Sequence, residues 1–431
     1  MWQDERRKKT LRNVFLGLLC AVLIGGLVYG LIENFKEAEI EEARIKEELV
    51  KPPESLPSSQ PSSRHMTEKD VEAEYKKDMD TVAQYLPGIV CWGDTFTSGS
   101  AGTVSFPAVL QRYIDTYICD IYDFRESINN SNSSNELFRL DWDNYKVKIP
   151  VINMGVDGED TNTVLGRSGV VPFVLANDVM IPAGTEPVAI DIVSQNGSKV
   201  SPLRGGNGGI NNVSIDGIEG ILSLEMYDKV TDKKDGQYYF TRTAEGTAHN
   251  AAAQTPIVTA VSDMYKDYVH IVWMGAFNGY KSEKELVSQI KSLLARQTNN
   301  SDRYLVLGLC SKGGWGSFSS YDTAMTQAFG EHFINVRKYL CSDGLADAEL
   351  TPTNQDIIAT SNGIVPPSLR SSKGNIGLNG LAYKLVGKVV YDRMDQLGYF
   401  DEVVDELYIK EVTKELLKEN PMFFSSIVEN W

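Results

Sequence analysis

The stretch IVCWGDTFTSG, residues 89–99, joins a short apolar run to a turn of small and polar residues. Four apolar residues are followed at once by Gly93 and Asp94, and a run of this length that ends in turn residues predicts a buried β-strand. A strand that ends this abruptly brings the next side chain to the edge of its sheet, where a scaffold can present it for binding or chemistry. That side chain is the hydroxyl of Thr95.

Four more apolar runs of strand length follow along the chain, among segments with helical patterns. Runs this apolar suit strands that are covered on both faces, which is typical of a parallel sheet with helices around it. The last helical pattern, residues 381–399, spaces its apolar residues as a helix that packs on such a sheet does. The sequence therefore predicts an α/β fold. The predicted strands are residues 89–92, 147–154, 269–274, 304–309 and 332–336.

Residues 168–265 interrupt this alternation. They are rich in Gly, Asn, Val and Ile, and turn signals such as QNGSK, RGGNGG and KKDGQ separate three strand-like runs, PVAIDIV, GILSLEMY and QYYFTRTA. We predict a small antiparallel β-domain inserted into the α/β domain. The α/β domain would then consist of a first part, residues 67–167, and a second part, residues 266–431.

The N-terminal residues predict a membrane anchor. Residues 14–32 are uncharged and almost wholly apolar, and at about 1.5 Å rise per residue such a helix covers a hydrocarbon core of about 30 Å. Basic residues precede the run and acidic residues follow it, so the positive-inside rule places the bulk of the chain outside the cytoplasm. We expect a single-pass protein of the cell membrane, with a cytoplasmic stub and transmembrane helix in residues 1–32 and a charged, Pro- and Ser-rich spacer in residues 33–66. A cleaved signal peptide is the alternative.

The net charge and the spacing of the cysteines argue against several classes of function. The net charge of −16 over 431 residues argues against a nucleic-acid-binding protein, because such a protein needs a basic surface to neutralise phosphates. It argues equally against electrostatic docking on anionic lipid. The five cysteines include no Cys-x-x-Cys pair and no metal-ligand spacing, so the sequence predicts neither a metal site nor a cofactor.

Four short blocks follow one another where the chemistry is expected. They are GDTFTSG (93–99), VINMGVDGEDT (151–161), IVWMGAFN (271–278) and GNIGLNGLAYKLVG (374–387). Three of them lie just after predicted parallel strands, and side chains at that edge of a sheet converge on one crevice.

In this order the blocks resemble the GDSL/SGNH hydrolases, over about residues 86–167 and 266–400. The resemblance implies a flavodoxin-like, three-layer parallel sheet and ester hydrolysis by a serine, with a histidine as base and an aspartate three residues before that histidine. It places Thr95 at the position of the nucleophile. It also implies an oxyanion hole made by the backbone N–H of residue 95, the backbone N–H of Gly158 and the side-chain amide of Asn278.

The sequence departs from that pattern at all three proton-transfer positions. Threonine replaces the serine, Gly377 stands where the resemblance puts the histidine, and Gly374 stands where it puts the aspartate. A threonine hydroxyl needs an adjacent base to become a nucleophile. Of the four histidines, we expect His65 in the spacer, two in strands, and His249 of the inserted domain at the surface. The alternative for His249 is that it folds over the crevice.

The carboxylates beside the crevice have a simpler interpretation. Asp94, Asp157, Glu159 and Asp160 follow the predicted strands closely, and carboxylates in tight loops commonly accept backbone hydrogen bonds. We expect that role for all four.

Three functions stay open. The first is a membrane-anchored, extracytoplasmic hydrolase-like protein with weak or no catalysis that binds an acylated glycan or another envelope ligand in the crevice. The second is an active esterase or deacetylase that uses Thr95 on a carbohydrate or lipid ester. The third is a structural component of the envelope.

Overall fold

The computed structural model describes residues 66–120, 122, 128, 137–226, 236–298, 302–311, 318–371 and 377–409. The strands are β1 Ile89–Gly93, β2 Val151–Gly155, β3 Phe173–Leu175, β4 Val179–Ile181, β5 Val188–Ile190, β6 Ile192–Ser194, β7 Val213–Ile215, β8 Ile218–Glu225, β9 Gln237–Arg242, β10 His249–Ala251, β11 Pro256–Val258, β12 Val269–Trp273, β13 Tyr304–Leu307 and β14 Phe333–Ile334. The α-helices are α1 Glu68–Tyr85, α2 Thr95–Ser98, α3 Phe106–Ile114, α4 Thr161–Arg167, α5 Glu283–Leu294, α6 Ser319–Phe329, α7 Val336–Ser342, α8 Gly344–Asp347, α9 Asn354–Ser361, α10 Gly380–Gln396 and α11 Asp401–Val404.

Five strands form a parallel sheet in the order β2-β1-β12-β13-β14. Every residue of β1 and β12 is buried, as expected of central strands with helices on both faces. In chain order the arrangement is 2-1-3-4-5, a doubly wound topology in which the chain reverses direction beside the first strand. The carboxyl ends of β1 and β12 therefore flank the switch point, where ligands bind in folds of this kind.

Helices α3 and α10 cover the sheet together. Gly387 of α10 lies so close to α3 that a Cβ atom there would be 2.5 Å from Cγ1 of Val109. The buried face of α10 presents apolar residues at helical spacing, as the sequence predicted; it includes Ala382, Leu385, Val386 and Val390.

A second, antiparallel sheet comprises seven strands in the order β5-β9-β8-β7-β11-β3-β6. Its outermost strands, β5 and β6, follow one another with only Asp191 between them, so the sheet curls back almost to closure. A separate set of buried side chains fills it, with Phe173, Leu222 and Phe240 among the largest. Two further strands, β4 and β10, pair beside it.

The predicted fold class combined a flavodoxin-like parallel sheet, a small inserted β-domain and an N-terminal transmembrane helix, and this combination is wrong. The mixed α/β content and the parallel sheet are present, but the antiparallel unit is not a small insertion, since its main sheet has more strands than the parallel one.

Within the described residues, none of the helices combines the length and the apolar character that crossing a membrane requires. The longest, α1 and α10, carry charges along their length and bury only one face. The predicted stub and transmembrane helix, residues 1–32, and the predicted spacer, residues 33–66, apart from Met66, lie outside the described part of the chain.

Candidate functional site

Thr95 opens α2 directly after β1, at the carboxyl edge of the parallel sheet. The turn that carries it is held against the end of β12, where the backbone approaches closely. A Cβ atom at Gly93 would lie 1.9 Å from the backbone oxygen of Trp273, so only glycine fits there. We call the edge formed by the ends of β1, β2 and β12 the crevice.

Asp94 links the ends of β1 and β12 by hydrogen bonds. Its Oδ1 accepts the N–H of Phe96 at 3.0 Å, and its Oδ2 accepts the N–H groups of Gly275 and Ala276 at 3.1 and 3.0 Å. The side chain is fully buried, and burial raises the pKa of Asp94 to about 7, although the three N–H donors oppose that rise. Asp94 is therefore a structural residue, as predicted.

The hydroxyl of Thr95 is fixed by two contacts across the crevice. It donates to Oδ1 of Asp157 at 2.6 Å and accepts the N–H of Gly158 at 2.9 Å. Thr95 is only 5% exposed. Ser100 donates to the same Asp157 oxygen at 2.8 Å. We call Thr95, Ser100 and Asp157 the hydroxyl–carboxylate cluster.

The predicted oxyanion residues lie at this edge, with different surroundings. Gly158 contacts Thr95 directly, and its φ of +71° favours glycine, although nothing within 4 Å would obstruct a Cβ atom. Asn278 lies beside the start of α4, where its backbone oxygen accepts the N–H of Thr161 at 3.1 Å. Its side chain is exposed. The N–H of Gly158 is already bonded to Thr95, so it is not free for the oxygen of a ligand carbonyl in this arrangement.

The position at which the resemblance places a histidine is closed. Gly377 is buried, and a Cβ atom there would lie 2.1 Å from Cβ of Ala101. Ser371 secures this packing, because its hydroxyl donates to the backbone oxygen of Ala101 at 2.6 Å and its N–H to that of Gly377 at 3.0 Å. An imidazole at position 377 would require the loop after α2 to move. Gly374 lies outside the described residues.

No imidazole of the described residues contacts Thr95. His249 bonds Asp216 at 2.9 Å on the antiparallel unit. His270 is buried and bonds the backbone oxygen of Tyr265, and burial lowers its pKa to about 4. His332 bonds the backbone oxygen of Tyr304. The alternative in which His249 folds over the crevice is therefore not seen in this structure, while His65 lies outside the described residues.

Two of the four nearby carboxylates have partners that the sequence did not indicate. Asp160 caps α4 by accepting the N–H of Thr163 at 2.8 Å, a backbone role as predicted. Asp157 instead accepts two side-chain hydroxyls, and Glu159 forms a buried ion pair with Arg167, whose Nη2 lies 2.9 Å from its Oε2. Burial raises the pKa of Glu159, and the guanidinium opposes that rise.

Arg167 and the antiparallel unit hold the turn of residues 156–159 in place. Arg167 donates to the backbone oxygens of Met154 at 2.8 Å and Gly208 at 3.0 Å, and so joins β2 to the glycine-rich loop of residues 204–209. In the same loop, a Cβ atom at Gly205 would lie 1.9 Å from the backbone oxygen of Asp157. This contact was not predicted. RGGNGG indicates a turn, but its residues do not show which part of the protein the turn packs against.

The crevice thus offers a carboxylate, two hydroxyls with fixed protons and an exposed amide, and no histidine in the described part of the chain is bonded to them. The described residues contain no group of three or more His, Cys, Asp or Glu side chains placed to hold a metal ion. Comparison of the chain with protein-family models, with curated proteins and with solved structures gave no match.

Proposed function

We propose that the chain is a hydrolase-like binding protein of the GDSL/SGNH type, with weak or no catalysis, that holds an acylated glycan or another envelope ligand in its crevice. The observation that carries this proposal is the state of the Thr95 hydroxyl. It is nearly buried, its proton is held by Asp157, and its oxygen already accepts the N–H of Gly158.

The residues around the Thr95 hydroxyl favour ligand binding over ester hydrolysis. Acyl transfer requires a base that takes the hydroxyl proton and then returns it to the leaving group, and a base with a pKa near the working pH does this best. The only titratable side chain that the Thr95 hydroxyl contacts among the described residues is a carboxylate, Asp157. An enzyme that keeps its oxyanion hole and its substrate binding but loses the proton-transfer residues still accelerates hydrolysis roughly 10³–10⁴-fold over water. We propose this acceleration as the upper bound for ester hydrolysis by the chain.

An active esterase is the second candidate, and one observation favours it. At 2.6 Å the bond from Thr95 to Asp157 is short, as expected when a carboxylate accepts a hydroxyl proton. If a ligand displaced the N–H of Gly158 from Thr95, that N–H would become an oxyanion donor and the hydroxyl would gain a free lone pair.

Ester turnover separates the two candidates. We would measure initial rates of 4-nitrophenyl acetate hydrolysis by the full chain, by Thr95→Ala and by Thr360→Ala, which removes a half-buried hydroxyl of α9 that donates to the backbone oxygen of Ile357. The binding proposal expects equally slow rates from all three. An esterase would give a kcat of about 1–10³ s⁻¹ that Thr95→Ala abolishes and Thr360→Ala retains.

A further inference from the structure

We infer that the hydroxyl–carboxylate cluster recognises a protonated amine, so that the ligand presents a free amino group to Asp157 and Ser100. This inference rests on the proposed function and names the chemical group that enters the site. It follows from which atoms of the cluster are donors, which are acceptors, and which are exposed.

The cluster presents acceptors to the solvent. Both hydroxyl protons, of Thr95 and Ser100, point to the same oxygen, Oδ1 of Asp157. Since a hydroxyl has one proton and two lone pairs, these two hydroxyl oxygens can only accept further bonds. That of Thr95 already accepts the N–H of Gly158, so Ser100 offers its oxygen to a ligand donor. A ligand carbonyl, which only accepts, would have to bind elsewhere in the crevice, whereas a ligand donor finds acceptors in the cluster.

Exposure decides which acceptors a ligand reaches. Thr95 is almost buried, while Asp157 and Ser100 are exposed. Among the described residues no hydrogen-bond donor is bonded to Oδ2 of Asp157, so this exposed side chain keeps one carboxylate oxygen for a ligand. Thr95 then acts as a positioning residue that fixes the carboxylate from behind.

The negative charge of Asp157 favours a ligand whose hydrogen-bond donor is a cation. A hydrogen bond from an ammonium group to a carboxylate is about twice as strong as one between neutral groups, and an ammonium carries three N–H donors for the oxygens of Asp157 and Ser100. The chain's net charge of −16 repels anionic ligands and attracts cations to the surface. Phosphate, sulfate and carboxylate groups are therefore poor partners for this cluster.

Two sources could supply the amine, an amino sugar or a lysine side chain, and within the proposed function we assign the amino sugar. The probes are a glucosamine tetrasaccharide with free amines, its fully N-acetylated counterpart and a short peptide with a single lysine. Isothermal titration calorimetry of the full chain would give the three affinities. We expect the free-amine saccharide to bind at least about tenfold more tightly than the acetylated one.

Variants test whether Asp157 is responsible. Asp157→Asn removes the charge, keeps an oxygen for Thr95 and Ser100, and should abolish the preference for the free amine. Asp343→Asn is the matched control: Asp343 is also exposed and accepts a serine hydroxyl, that of Ser342 at 2.6 Å, away from the crevice. It should leave the preference unchanged.

Each outcome decides something different. Tighter binding of the free-amine saccharide that depends on Asp157 supports the inference. Equal or tighter binding of the acetylated saccharide overturns it and leaves the proposed glycan binding intact. Binding of the lysine peptide alone, dependent on Asp157, supports amine recognition and overturns the glycan assignment. If none of the three probes binds, the inference fails, and so does the acylated glycan as the ligand of the proposed function.

Discussion

Asp157 and Thr95, 62 residues apart in sequence, meet at 2.6 Å between Oδ1 and Oγ1. This bond joins the turn after β1 to the turn after β2 and fixes the proton of the hydroxyl that the GDSL/SGNH resemblance puts at the position of the nucleophile. Because Gly158, the next residue, donates to the same hydroxyl, Thr95 is bonded on both sides. Its role in this arrangement is to organise the crevice.

Removing the Thr95 hydroxyl should therefore loosen the turn of residues 156–159. Thr95→Val keeps the shape, but leaves the N–H of Gly158 without its acceptor and Asp157 without one donor. We expect a loss of about 1–2 kcal/mol in the free energy of unfolding, measured by urea denaturation, and faster exchange of the Gly158 amide proton. Thr360→Val, at a half-buried position of α9 where the hydroxyl donates to the backbone oxygen of Ile357, should change neither by a comparable amount. An unchanged Gly158 exchange rate in Thr95→Val would contradict the bond.

The glycine-rich loop of the antiparallel unit should control the position of Asp157. In Gly205→Ala the new methyl would lie 1.9 Å from the backbone oxygen of Asp157, so the turn must shift. We expect a loss of about 1–3 kcal/mol in stability and weaker binding of whichever probe binds the wild-type chain. Gly184→Ala is a suitable control, because its methyl would meet only the flexible end of Glu186. Equal effects of the two variants would show that the loop has no special role.

Gly377 and Ala101 should be energetically coupled. Gly377→Ala places a methyl 2.1 Å from Cβ of Ala101, and overpacking of this kind costs about 1–3 kcal/mol. Ala101→Gly removes the obstacle, so the double variant should regain part of that loss. A double-mutant cycle of urea midpoints measures the coupling; simple additivity would mean that the two residues do not touch.

Asp94 should give the stability a distinctive dependence on pH. Burial raises its pKa from 3.8 to about 7, so between those values the folded chain binds this proton more tightly than the unfolded chain does. Its contribution is therefore fully present below about pH 4 and is lost as the pH rises through about 7, by on the order of a few kcal/mol.

The variant Asp94→Asn isolates that contribution. His270 acts in the opposite direction, because its pKa is lowered from 6.5 to about 4 and stability from this group rises with pH in that window. Subtracting the urea-denaturation profile of Asp94→Asn from that of the wild type cancels His270. The difference should fall steadily from about pH 4 to 7. A flat difference would mean that Asp94 is not protonated in the folded chain.

The parallel sheet was the part that the sequence could predict. Runs such as residues 269–274 are apolar because both faces of the strand are covered, and β12 is found there as Val269–Trp273. The prediction for β2 began four residues early, at residue 147 rather than Val151. The structure has only a strand of two residues, Phe333–Ile334, where residues 332–336 were predicted.

The antiparallel unit was predicted with too few strands. PVAIDIV is split by Asp191 into β5 and β6, and strands of three residues such as β7 and β11 are too short to show a period. Their pairing comes from the sheet that surrounds them, and local sequence does not encode it.

Thr95, Gly158 and Asn278 all lie just after strand ends of the parallel sheet, but their contacts were not predictable. The partner of Asp157 depends on how two turns face each other across the sheet, and the closure of position 377 depends on where the loop bearing Ala101 lies. Neither leaves a periodic or compositional signal. The prediction of Asp94 as a backbone acceptor succeeded because its bond to Phe96 is set by the turn it begins. Its bonds to Gly275 and Ala276 depend on the neighbouring strand end, which local sequence does not indicate.

The central claim, that Thr95 organises a binding site and does not attack esters, is tested most directly by looking for its acyl adduct. The full chain would be mixed with 4-nitrophenyl acetate, quenched in acid within seconds and digested, and the peptide containing residues 89–99 examined by mass spectrometry. We predict that this peptide carries no acetyl group beyond the level found in Thr95→Ala. Rapid, stoichiometric acetylation of Thr95 in the wild-type chain would contradict the account.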